Sequence, residues 1–325
     1  MPPSIFRPPS SSVIVTGGAG FIGAHLVERL LADGKNVVVI DDLSTGSRDN
    51  LRAVSMNKNF RFIQSKISSC TELPELSADA DFIFHLAATV GVELVVKSAL
   101  HVLEASFNEM QILLRAAEKS STPLLLTSTS EVYGKSAKPE FGEDDDLLIG
   151  PPGHSRWSYA SAKLTDEFLA LAYAREKDLP VTIARLFNTV GPRQTGRYGM
   201  VLPRFIAAAK KNEPLKVFGD GAQSRCFCLV HDAVEALIRL QQCETARGEI
   251  FNIGGTEEVT ILELAKLVVE TLGSKSKIEL IPYDQAYAPG FDDMRRRKPL
   301  VEKLERFVNF KPQTTLREII QLTAE

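Results

Sequence analysis

Tyr159 and Lys163 stand four residues apart in Ser-Tyr-Ala-Ser-Ala-Lys, a spacing that puts both on one face of a helix. Upstream, the apolar run 124–127 leads into Ser128-Thr129-Ser130-Glu131-Val132-Tyr133-Gly134, so hydroxyls and a carboxylate gather at a strand end. A phenol, with an ordinary pKa of about 10, is a poor base at neutral pH. A neighbouring ammonium and a cationic nicotinamide ring favour the phenolate. Lys163 can supply that charge. The chemistry expected is removal of a hydroxyl proton by Tyr159 coupled to hydride transfer, with a hydroxyl from the strand end close by. On its own, a Tyr/Lys pair reads as a solvated helix face; the rest of the chain decides.

A dinucleotide site is legible further upstream. Gly17, Gly20 and Gly23 lie in Val-Ile-Val-Thr-Gly-Gly-Ala-Gly-Phe-Ile-Gly, after a β-branched run and before a helical pattern. The first glycine permits the tight turn, the second the approach of a pyrophosphate, and the third close packing of helix on strand. The helix N-terminus then offers free N–H groups to the phosphates. The next apolar run, 37–40, ends in Asp41, about 20 residues on, where an acid can hold the adenosine ribose.

These groups need a frame. Strands are expected at 13–16, 37–40, 60–63, 81–86, 124–127 and 181–185, and helices at 21–31, 99–119 and 159–174. Such alternation predicts an α/β fold, a Rossmann-type doubly wound parallel sheet whose ligands bind beyond the carboxyl ends of the strands. The NAD-binding domain is placed at 11–187. Residues 188–325, with helices expected at 203–211, 231–242 and 260–272, form mainly a smaller α/β substrate-binding lobe, with some segments returning to the main sheet.

Composition narrows the function. The 325 residues carry a net charge of −3 and one dense basic run, Arg295-Arg296-Arg297-Lys298, so nucleic acid is not an expected partner. Four cysteines (Cys70, Cys226, Cys228, Cys243) show no paired spacing, so no metal site or disulfide framework is expected. No apolar stretch is long enough for a membrane span, and the Pro- and Ser-rich start lacks a signal-peptide core. A cytoplasmic protein without membrane partners is expected.

The motifs together resemble the extended short-chain dehydrogenase/reductase family, in its nucleotide-sugar epimerase, dehydratase and decarboxylase branch. The matching pieces are Thr-Gly-Gly-Ala-Gly-Phe-Ile-Gly (16–23), Asp-Asp-Leu-Ser-Thr-Gly (41–46), His-Leu-Ala-Ala (85–88) and Thr-Ser-Glu-Val-Tyr-Gly (129–134). Further on come the Tyr-x-x-x-Lys of 159–163, Arg-Leu-Phe-Asn-Thr-Val-Gly-Pro-Arg (185–193), Val-Phe-Gly-Asp-Gly-x-x-x-Arg (217–225) and Phe-Asn-Ile-Gly (251–254). The resemblance implies NAD held by Gly17, Gly20, Phe21, Ile22, Gly23, Asp41, Leu43, Ser44, Thr45, Gly46, Leu86, Ala87, Ala88, Tyr159 and Lys163. It implies catalysis by Tyr159, Lys163, Thr129, Ser130 and Glu131, the last at a position that is a catalytic carboxylate in the decarboxylases. Asn188, Arg225 and Arg297 would hold a sugar diphosphate, Phe218 would stack on uracil, and Arg193 and Arg197 are candidates to face a C6 carboxylate. A homodimer pairing the helices near 99–119 and 159–174 is implied as well.

Two departures stand out. Lys66 occupies the position where the third strand usually ends in an adenine-contacting aspartate, so a ribose phosphate is less strictly excluded. Ser106 and Glu109 replace an asparagine and a glycine in the helix after His-Leu-Ala-Ala. As for the reaction, a 4-keto sugar can be re-reduced on its other face, lose a C6 carboxylate, or eliminate water. Glu131-Val-Tyr-Gly resembles the decarboxylases, whereas 88–92 and 191–201 resemble the 4-epimerases. The expectation is 4-epimerisation of a UDP-sugar, UDP-glucuronate ahead of UDP-glucose, with UDP-glucuronate decarboxylation as the alternative and a non-catalytic NAD-binding sensor as a remote one.

Overall fold

The computed structural model describes residues 11–88, 98–195, 200–282 and 294–325. Seven parallel strands form the central sheet: β1 (Ser12–Thr16), β2 (Asn36–Asp41), β3 (Phe60–Gln64), β4 (Phe82–His85), β5 (Leu124–Thr129), β6 (Val181–Leu186) and, from much later in the chain, β11 (Ile250–Ile253). Their order is β11-β6-β5-β4-β1-β2-β3, so the strand order reverses between β1 and β4, where a crevice opens. Between β6 and β11 lie the short strands β7 (Thr189–Val190), β8 (Leu215–Phe218), β9 (Ser224–Cys226) and β10 (Cys228–Leu229). After β11 come β12 (Glu258–Thr260) and β13 (Ile278–Ile281).

Alternate strand residues build two cores, because successive side chains point to opposite faces. Val13, Val15, Val37 and Val39 pack on one face with Leu26, Val27 and Leu30 of α1 (Phe21–Ala32). Ile14, Ile40, Ile83 and Leu124 pack on the other. That face is covered by α2 (Leu73–Asp79), α3 (Ala99–Ser120) and α4 (Ser158–Lys177). Apolar residues on both faces are what make these strands near-continuous hydrophobic runs.

The smaller lobe has its own core. Leu202, Phe205 and Ile206 of α5 (Val201–Lys210) meet Leu215 and Val217 of β8. On the second half's side of the sheet, α6 (Val230–Gln242) lies beside α1. In the lobe, α7 (Ile261–Thr271) follows β12, and its N-terminus is closed by a reciprocal Thr260/Glu263 cap. Helices α8 (Glu302–Val308) and α9 (Leu316–Ala324) complete the chain. The boundaries of the assigned elements match the sequence reading to within a few residues, while α2, the strands β7 to β13, α8 and α9 carried no sequence assignment. No helix among the described residues is long and apolar enough to cross a membrane.

Candidate active site

A cavity of about 840 Å³ runs from the glycine-rich turn, past the ends of β4 and β5, into the smaller lobe. At its dinucleotide end the turn is closed as tightly as bare backbone allows. Gly17 sits at φ +71°, and a Cβ there would lie 2.6 Å from the Ala87 nitrogen; one on Gly23 would lie 2.7 Å from the Gly18 Cα. Gly20 is different: among the described residues the atom near its missing Cβ is the Gly17 carbonyl oxygen at 3.2 Å, so its bare side faces the cavity it lines. Gly20 also begins α1 without a side-chain cap, leaving the first N–H groups beside Phe21, Ile22 and Gly23 for an anion.

Asp41 is 8% exposed. One carboxylate oxygen accepts from the Ala19 N–H at 2.9 Å and the other from the Leu43 N–H at 2.8 Å. Burial raises its pKa, and those two N–H groups pull against the rise. The turn is thus tied to the end of β2, and Asp41, Ser44 and Thr45 line the cavity with Leu86, Ala87 and Ala88. These groups fit a dinucleotide. Leu43 and Gly46 do not line the cavity; they support it from behind. Leu43 packs on the core at φ +62°, and a Cβ on Gly46 would lie 2.9 Å from the Ala19 carbonyl carbon.

Thr129, Ser130, Glu131, Tyr159 and Lys163 line the middle of the same cavity. Thr129 ends β5, and its hydroxyl accepts from the Glu131 N–H at 3.2 Å, starting the 3₁₀ turn Ser130–Tyr133 that carries Glu131. Arg297 reaches across from the smaller lobe: its Nη2 donates to Glu131 Oε1 at 2.8 Å. Burial raises the Tyr159 pKa, and the Glu131 and Asp166 carboxylates raise it further. Beside Lys163, burial and then the ammonium charge push His85 down to about 3, so its imidazole is neutral; its Nδ1 lies 2.8 Å from Thr16 Oγ1.

In the smaller lobe, Asn188, Phe218 and Arg225 line the cavity. Asn188 Nδ2 donates to the Cys226 carbonyl at 2.8 Å. Arg193 is not brought to the cavity. Its guanidinium forms paired bonds to Glu28 of α1 at 2.7 and 2.9 Å and donates to the Asn50 carbonyl at 3.0 Å, which explains its presence without a sugar carboxylate. Arg197 lies outside the described residues, as do 89–92 and most of 196–201 that carried the epimerase resemblance.

Several lining residues escaped the sequence reading. Arg204 lies 4.6 Å over the Phe218 ring, and Lys216 flanks it. Strand periodicity could have found Lys216, since it shares a face with Phe218 while Leu215 and Val217 point into the core. Arg204 comes from a helix whose burial pattern gave no hint of a partner. At the far end, Lys66 and Glu109 line the cavity, and Glu109 accepts from both the N–H and the hydroxyl of Ser68, at 2.9 and 2.5 Å. No group of three or more His, Cys, Asp or Glu side chains placed to hold a metal occurs among the described residues.

The NAD dependent epimerase/dehydratase family matches residues 13–254. The UDP-N-acetyl-alpha-D-glucosaminuronate decarboxylase of Bacillus cytotoxicus is 41% identical over 313 residues, 95% of this chain and 96% of that protein. UDP-glucuronic acid decarboxylase 4 of Arabidopsis thaliana is 37% identical over 310 residues, 95% of this chain and 67% of that protein. Among solved structures, UDP-glucuronic acid 4-epimerase of Bacillus cereus, in complex with UDP-glucuronic acid and NAD, superposes with a TM-score of 0.85 at 28% identity, covering 96% of this chain and 98% of that one.

Proposed function

The chain belongs to the NAD dependent epimerase/dehydratase family, and on that footing we propose that it oxidises a UDP-hexuronate at C4 and decarboxylates it to a UDP-pentose. The cofactor is NAD, which supplies the acceptor for the C4 hydride and returns it at the end of the cycle. Residues of the glycine-rich turn, Asp41 and Lys163 hold it.

Tyr159 takes the proton of the C4 hydroxyl, with Thr129 orienting that hydroxyl and Lys163 favouring the phenolate. Oxidation makes the C6 carboxylate β to a ketone. The C5–C6 bond then breaks, carbon dioxide leaves, and its electron pair passes into the C4–C5 enolate. A proton must next be delivered to C5. The observation that carries this reading is Glu131, a carboxyl group in the catalytic part of the cavity and paired there with Arg297. Glu131, protonated from solvent once Arg297 turns from it to hold the uronate carboxylate against its desolvation cost, delivers that proton. This moves Arg297 from the diphosphate, its expected partner, to the reacting end of the sugar; Arg225 and Asn188 remain for the diphosphate. Identity of 41% to a uronate decarboxylase supports the same choice and makes a 2-acetamido uronate a candidate substrate beside UDP-glucuronate.

The second reading is 4-epimerisation, favoured by the likeness to the Bacillus cereus epimerase. Incubation with UDP-glucuronate and UDP-N-acetylglucosaminuronate, read by NMR for sugars and by trapping of carbon dioxide, separates them. We expect a UDP-pentose and one carbon dioxide per turnover without net consumption of NAD. A C4 epimer with no carbon dioxide would install the second reading.

Self-association belongs to the same proposal. Leu100, Leu103 and Phe107 form an exposed stripe on α3, and Phe168 is 63% exposed on α4. A second copy of the chain covers this face. Sedimentation velocity should show a dimer, and Phe107→Glu with Phe168→Glu a monomer; a wild-type monomer at micromolar concentration would refute it.

A further inference from the structure

We propose that Asp166, docked by Ser106, is a positioning residue that anchors Lys163 and offsets its pull on the Tyr159 proton. The proposal rests on Tyr159 and Lys163 being the proton-transfer pair. It holds whichever way the 4-keto sugar reacts once C4 is oxidised.

Tyr159, Lys163 and Asp166 fall at positions i, i+4 and i+7 of α4, one stripe of the helix. Asp166 is 1% exposed and does not line the cavity, so it touches neither sugar nor cofactor. Its Oδ2 lies 3.6 Å from the Lys163 Nζ, with both side chains nearly excluded from water. At that distance the ammonium is held electrostatically while its three donors stay available to other acceptors. The same Oδ2 accepts from the Ser106 hydroxyl at 2.8 Å, across the packed pair α3 and α4. Ser106 is one of the two residues that depart from the usual pattern of this helix, and its short side chain meets the carboxylate. Asp166 Oδ1 is buried and finds no hydrogen-bond partner among the described residues. Such a carboxylate is costly to bury unless it has a charge to serve.

The charge balance gives the direction. Tyr159 faces Glu131 on the turn after β5 and Asp166 on its own helix, and both hold its proton on; the Lys163 ammonium, one helical turn along, is the charge of opposite sign. His85 of β4 is neutral, Glu167 acts on Asp166 only through space, and α3 contributes the Ser106 hydroxyl rather than a charge. Burial raises the Asp166 pKa, and the Lys163 ammonium and the Ser106 bond work against that rise. A neutral residue at 166 removes one of the two negative charges acting on Tyr159 and leaves Lys163 opposed by Glu131 alone. Tyr159 then ionises at lower pH, and Lys163, no longer anchored, holds the nicotinamide ribose less well.

The test is the acid limb of the pH–rate profile for Asp166→Asn and Asp166→Ser. It is read on whichever UDP-sugar the wild type turns over, with epimer and decarboxylated product counted together. If the decarboxylase reading fails, the limb is still readable. Both variants should move it down by about one pH unit, the size expected for a charge two helical turns away, about 10 Å, in a medium of effective dielectric about 20, and weaken NAD severalfold. Ser106→Ala keeps the charge but loses its donor, and should move the limb the same way by less. If no UDP-sugar turns over, the phenolate absorbance of the NAD-bound protein, taken as the difference from Tyr159→Phe, reads the same shift. An unchanged or raised limb in the variants that fold would overturn the proposal and leave Asp166 a packing residue.

Discussion

Tyr159→Phe is expected to lose about 10²- to 10⁴-fold in turnover, the range for removing a general base, while keeping its NAD and its melting temperature. The ring packs against Val102 and Ala162, contacts that phenylalanine repeats. Only the proton acceptor goes. Burial and the carboxylates of Glu131 and Asp166 hold the wild-type proton on. Phenolate formation therefore leans on Lys163 and on the cationic ring of the bound cofactor. Activity should fall on the acid side of the profile as the phenol stays protonated. A loss of less than about tenfold would transfer the base role to Glu131, the carboxylate in that part of the cavity.

The second large effect concerns stability. Glu167 and Arg185 are each 2% exposed and form a paired salt bridge, with Nη2 2.7 Å from Oε2 and Nε 3.0 Å from Oε1. The pair is extended in both directions. The Ser128 hydroxyl donates to Glu167 at 2.5 Å, and Arg185 donates to the Tyr133 hydroxyl at 3.0 Å. Tyr133 in turn donates to Asn252 Oδ1 at 2.8 Å, and Asn252 Nδ2 donates to the Phe141 carbonyl at 2.9 Å. One network thus joins β5, α4, β6 and β11. Arg185→Met leaves the Glu167 charge buried without its partner, a lesion of about 3–5 kcal/mol. The melting temperature should drop by on the order of 10 °C. A drop of a degree or two in thermal unfolding would mean that water or Ser128 satisfies Glu167 unaided.

The dinucleotide half was legible because each of its residues answers a local demand. Gly17 needs its positive φ, Gly23 needs a missing Cβ, and Asp41 needs to end a strand. Tyr159 and Lys163 are related by helix spacing alone. The sugar half resisted for a different reason: its contacts join segments far apart in the chain. Nothing near Glu131 announces Arg297, and nothing near Arg193 announces Glu28, 165 positions away. Asp166 was passed over because a carboxylate three residues after a lysine reads as an ordinary helix pair, until burial shows otherwise. The choice of epimerisation over decarboxylation rested on stretches 88–92 and 191–201, while Glu131, weighed lower, agrees better with the uronate decarboxylases among the relatives.

The late arrival of β11 has a consequence for synthesis. β6 pairs with β5 on one side and with Ile250–Ile253 on the other, in the register Ile183–Ile250 to Leu186–Ile253. A nascent chain that has emerged only as far as the smaller lobe therefore carries a nearly finished sheet in which β6, a central strand of the complete protein, is left as an edge. That edge is mostly buried, β-branched and apolar. Its one charge, Arg185, is turned to Glu167, so no outward charge or proline within the strand protects it. Until the ribosome releases Ile250–Ile253, the unfinished chain offers β6 as a template for pairing with its own copies.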